Sequence, residues 1–128
     1  MFKFLLLAIG GATGTLLRYS LSGFIHKNIQ EIFPWGTLVV NLLGCLLIGV
    51  LWELFQDGII TANMRLFLFI GVLGGFTTFS SFTLETFNLL KDGEFRFVLL
   101  NVFLSNFLGI ALVFVGSALS RFVLNFFK

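Results

Sequence analysis

The chain has 128 residues, enough for one domain, of which 58% are hydrophobic and only 11% charged. A mean hydropathy of +1.05 excludes the soluble globular class and points to an integral membrane protein. The formal charge of +2 comes from eight basic residues scattered singly, so no nucleic-acid-binding patch forms, and the lone Cys45 excludes an intrachain disulfide or thiolate cluster.

The first predicted transmembrane helix covers residues 4–24. An early lysine before an apolar run would suit a signal peptide, but the run continues into Arg18 without a convincing cleavage site. It reads as a retained helix. Gly10, Gly14 and Arg18 are four apart, with Gly11 and Thr15 beside them, so one face stays small until it meets a guanidinium. Arg18 has two readings, snorkelling at a helix end or sitting at an aqueous mouth that attracts anions. The linker SGFIHKNIQEIFPWG holds the only histidine and the only proline and ends near Trp35, which suits an interfacial anchor. His26, beside Lys27 and Asn28, reads as a solvated loop residue.

The second helix is predicted over residues 36–55, about 20 residues, enough to cross a hydrocarbon core of about 30 Å. Asn41 is its one strongly polar interruption, with Gly44 and Cys45 on the same side. It is either interhelical hydrogen-bonding glue or a pore-lining amide. The third helix, residues 64–88, contains GVLGGFTTFSSFTLE from Gly71 to Glu85, a dense run of hydroxyls, phenylalanines and a carboxylate at membrane depth. Gly74 and Gly75 are expected to relax the backbone and break the helix near residues 74–78, freeing carbonyls on one side and N–H groups on the other. Phe79 and Phe82 then share a face, extended by Thr83 and Thr86. In the fourth helix, residues 96–121, Asn101, Ser105 and Gly109 repeat every four residues, with Asn106 beside them. That strip serves either packing or a pore.

The expected fold is thus an all-α membrane domain over residues 1–128, with four transmembrane helices and the third broken in mid-membrane. Lys3, Arg65, Arg121 and Lys128 fall on one side, and Arg18, Lys27, Lys91 and Arg96 on the other, so charge sets no orientation. Such a chain can insert both ways. Two opposed copies could pair about an axis in the membrane plane, placing two helix breaks together around a central cation site of carbonyls.

Three motifs, GGATGTLLRY, WGTLVVNLLGCLLIG and GVLGGFTTFSSFTLE, followed by KDGEF, resemble the Fluc (CrcB-like) fluoride channels over nearly the whole chain. The resemblance implies an antiparallel, dual-topology homodimer, multi-pass in the inner (plasma) membrane. It implies two fluoride pathways that lower cytoplasmic fluoride by passive export, and a structural sodium ion at the dimer centre. By motif, Gly74 and Thr77 would supply the sodium-coordinating carbonyls, Phe79 and Phe82 the pathway rings and Asn41 the pathway amide, with Arg18 beside a vestibule. Ser105 or Asn106 occupies the polar-track region of the fourth helix, Gly109 stands where a hydroxyl residue is common, and Ser81 replaces a more usual threonine. Donors from Asn41, Thr83 and Ser105 could replace fluoride's hydration water, while ring edges carry the positive end of the aromatic quadrupole. A rival class is a small dual-topology, proton-coupled exporter of toxic cations or drugs, with Glu85 as proton carrier. A subunit or assembly factor without transport is a second rival. An enzyme is not expected, because no nucleophile, base and orienting group converge.

Overall fold

Four long apolar stretches, separated by short connections rich in turn residues, fold as four helical spans in the computed structural model, which describes residues 1–127. Lys128, counted above among the charges of the terminal side, lies outside the described residues. The spans are Phe2–Asn28, Trp35–Gln56, Ala62–Lys91 and Phe95–Phe126, the shortest of 22 residues, so each is long and apolar enough to cross a bilayer. We label the first two α1 and α2. The third span comprises α3, residues 62–76, and α4, Phe79–Lys91. The fourth, Phe95–Phe126, is α5, π-wound over Leu104–Leu108.

Nothing between Ser22 and Asn28 stops a helix except Gly23, which costs only about 1 kcal/mol. α1 therefore continues through the segment expected as a loop, and His26 lies exposed in its last turn. The Asn28 amide donates back to the Phe24 carbonyl at 2.7 Å and Ile29 turns extended. α2 and α4 both stop at an Asp-Gly pair in which the glycine takes a left-handed conformation, φ 76° at Gly58 and 77° at Gly93.

Lipid tails give helices no hydrophobic reason to associate, so close approach of backbones must supply the contact. The small face of α1 meets α3, where an added methyl at Gly14 would overlap the Val72 carbonyl and one at Gly75 would come within 2.5 Å of the Gly11 carbonyl. α2 packs on the second half of α5. At the exit end of that contact, Glu53 is only 7% exposed and accepts from Ser117 Oγ at 2.6 Å and from Arg121 Nε and Nη2 at 2.8 and 2.9 Å. α4 packs mainly on the first half of α5. Phenylalanines such as Phe103, Phe107, Phe114 and Phe122 are exposed on the surface of the chain.

The glycine pair does not interrupt the third span. Gly74 is helical, φ −63° and ψ −36°, and the helical pattern persists to Phe76. It gives way at Thr77, φ −83° and ψ 158°, and Thr78, φ −149° and ψ 114°. Gly75 is occupied by the α1 contact instead, and the local polar side chains stabilise the extended pair.

Candidate functional site

The two extended residues are held by side chains from both sides. Thr78 N–H donates to Asn41 Oδ1 at 2.8 Å, and Asn41 Nδ2 donates to the Thr78 carbonyl at 3.0 Å, so one amide satisfies both backbone groups. Thr78 Oγ1 accepts from Ser81 N–H at 3.1 Å and donates to Ser81 Oγ at 3.0 Å, capping α4. Thr77 closes α3, its N–H and its Oγ1 both donating to the Leu73 carbonyl at 2.9 Å. The N–H groups that would continue the helix by bonding the Gly74 and Thr77 carbonyls are those of Thr78 and Ser81, and both are directed to side chains instead. Carbonyls released in this way are hard oxygen ligands of the kind unwound helices offer to alkali cations, and Gly74 is exposed. These two residues suit a sodium ion in the nature of their donors.

Beside the interruption lies a cavity of about 360 Å³ that brings Asn41, Gly74, Thr77, Phe79, Phe82 and Ser105 together. Phe82 is 9% exposed and Phe79 is 76% exposed, their rings 5.7 Å apart and tilted by 44°. Ser105 sits in the π-wound turn of α5, and its Oγ is buried without a hydrogen-bond partner. π-Turns recur where a helix must aim a side chain into a site. Asn106 also lines this cavity, while its Nδ2 donates to the Val102 carbonyl at 2.7 Å. Thr83 is not among the lining residues, and its hydroxyl hydrogen is shared between the Phe79 and Ser80 carbonyls at 3.1 and 3.0 Å.

Arg18 belongs to a second cavity, of about 450 Å³, lined also by Tyr19, His26, Thr37, Ser81 and Glu85. Thr78 lines both cavities, so the amide-clamped residue stands between them. Glu85 meets the Thr37 hydroxyl at 2.6 Å rather than a basic side chain, and its Oε2 is buried without a partner. Positive charge, hydroxyls and one carboxylate thus face the same polar space.

Comparison with known proteins decides the family. The model described as CrcB-like protein, Camphor Resistance (CrcB), matches residues 5–117. The chain belongs to the CrcB-like family. It is 44% identical over 128 residues to a protein of Parabacteroides distasonis named fluoride-specific ion channel FluC, covering all of both chains. Relatives of the same name from Thermus thermophilus and Salinibacter ruber are 50% identical over 114 residues and 43% identical over 125. The matches span 89% and 98% of this chain and 90% and 94% of those relatives.

Within this CrcB-like chain, sequence reasoning missed Thr37, Phe69, Leu73 and Ile48 as cavity-lining residues. Thr37 had a usable signal: it precedes Asn41 by four positions and so shares its face of α2. The three apolar residues carried none, since nothing separates a cavity wall from a lipid-facing side chain in a uniformly apolar helix.

Proposed function

We propose that the chain forms a fluoride-selective channel which lets fluoride leave the cell passively, as an antiparallel homodimer in the inner membrane. The observation that carries the reading is the convergence of Asn41, Phe79, Phe82 and Ser105 on one cavity in a chain of this family. The three relatives are named as channels, which favours conduction over the exporter reading built on Glu85.

Fluoride is small and strongly hydrated, so a selective path must replace its water with donors while staying too narrow for larger anions. Asn41 uses one of its two amide hydrogens on Thr78, leaving the other for an anion. Ser105 Oγ, buried and unpartnered, offers its hydrogen on the facing helix. Phe79 and Phe82 line the same cavity, where ring edges, the positive part of the quadrupole, would meet the anion while the rings exclude bulk water. Arg18 in the second cavity raises the local anion concentration, and Glu85 lines the same cavity. The carbonyls of Gly74 and Thr77 would hold a sodium ion, with a second copy supplying an equal set, and the ion would neutralise the facing helix ends.

Purified protein in liposomes loaded with fluoride should release it down its gradient, measured with a fluoride electrode, while chloride stays inside. Absence of efflux would overturn the reading. Phe79→Ile and Phe82→Ile should each suppress fluoride flux while the dimer remains folded; normal flux in both variants would remove the rings from the pathway.

A further inference from the structure

α4 carries both pathway rings, so whatever fixes its rotation fixes their edges. It packs lightly apart from its contact with α5, and that contact contains an unexpected side chain. Asn101 is 1% exposed, one of two large side chains fully enclosed among the described residues. A primary amide there is expensive unless its hydrogens are used. Its Nδ2 donates to Thr86 Oγ1 at 3.0 Å, and Thr86 Oγ1 donates to the Phe82 carbonyl at 2.7 Å. The hydroxyl is therefore committed in both directions, and a continuous chain runs from Asn101 on α5 through Thr86 to the backbone of Phe82. Each bond polarises the next.

We propose that Asn101 is a positioning residue for Phe82. A threonine hydroxyl bonded back to the carbonyl four residues earlier can swing between rotamers, and doing so bends or relaxes its own helix turn. The Asn101 amide selects the rotamer that bonds Phe82, which pins the Phe82–Thr86 turn to α5. With that turn pinned, the Phe82 ring keeps its place in the cavity wall. Without it, α4 is free to rotate on its long axis and the ring leaves the wall. Neither Thr86 nor Asn101 is among the residues lining the cavity, so Asn101 acts only through the turn it holds. The inference rests on the pathway reading of Phe82.

The test uses Asn101→Leu, Thr86→Val and the double variant, with 4-fluorophenylalanine at position 82 as a 19F NMR reporter. Each single variant should lower fluoride efflux about fivefold, the factor expected for one net hydrogen bond. The double variant should be no slower than the worse single, because both break the same chain. The reporter should give one sharp line in the parent and a broadened or shifted line in all three variants. Ser117→Ala, which removes a hydrogen bond at the far end of α5, should lower the melting temperature while leaving flux and the 19F line unchanged. If Asn101→Leu fails to fold, Thr86→Val carries the comparison alone. Additive losses of flux, or a lower melting temperature with an unmoved 19F line, would reduce Asn101 to a packing residue and overturn the proposal. A parent protein that carries no fluoride refutes the channel instead, and the 19F lines still decide whether Asn101 positions the ring.

Discussion

Replacing Asn41 by leucine keeps the volume of the side chain and removes both of its contacts with the backbone of Thr78. Thr78 is only 8% exposed, and its N–H and carbonyl meet Asn41 at 2.8 and 3.0 Å. The Thr78 carbonyl, at the N-cap of α4, keeps its intrahelical partner, but the buried N–H is left unmet at a cost of roughly 1–3 kcal/mol, so Asn41→Leu should destabilise the fold by about that much. Closing into a helix would meet the Thr78 and Ser81 N–H groups with the Gly74 and Thr77 carbonyls, but only by surrendering the Thr78 cap and the observed course of the chain. Thermal unfolding in detergent gives the total, and hydrogen exchange at the Thr78 amide isolates the local part. A loss of even about 2 kcal/mol should speed that exchange roughly 30-fold. Asn41→Asp separates structure from conduction: it retains the acceptor for Thr78 N–H, loses the amide donor, and should keep most of the amide's protection while flux disappears. Unchanged exchange at Thr78 in Asn41→Leu would refute the clamp.

Ser105→Ala removes a buried hydroxyl with no partner, so melting temperature should hold or rise slightly while fluoride efflux falls; a fall in stability with normal efflux would assign Ser105 to packing. Arg121→Ala leaves the Glu53 carboxylate with Ser117, and because Arg121 is largely exposed and screened by solvent the melting temperature should fall only modestly. Efflux per folded protein should not change, and a specific loss of conduction would show that this end of α2 belongs to the pathway.

The four spans were legible because a lipid solvent selects on composition and length, both visible residue by residue. The small face of α1 was legible for the same reason, since Gly10, Gly14 and Arg18 recur at helical spacing. The function of Gly75 was not. A glycine pair reads equally as a relaxed backbone and as a close helix contact, and only the arrival of Gly11 opposite it decides for contact. Thr37 with Glu85, and Glu53 with Ser117 and Arg121, were equally hidden, because partners 48, 64 and 68 residues apart meet only once helices are paired and rotated. Asn41 and Asn101 were visible as polar interruptions, but both were open between glue and pore. Their geometry supplies a further distinction: each amide reaches the third span at a backbone group or one hydroxyl away from it.

That distinction bears on how a small anion path is built in lipid. α4 is tied at three places: at its start by Asn41 on Thr78, near its middle by Thr37 on Glu85, and on its other side by Asn101 on Thr86. Apolar packing fixes a helix poorly in a membrane, because neighbouring side chains and lipid tails are chemically alike. A hydrogen bond between helices is directional to a few tenths of an ångström and fixes rotation as well as distance. Two ties reach α2 and one reaches α5, so losing the Asn101 tie leaves α4 held from the α2 side alone. Ring edges act on an anion only in one orientation, whereas a ring face repels it. On the proposed pathway the polar residues would divide between those that meet the ion and those that hold α4 in place, and a survey of loss-of-function variants should find the second group as often as the first.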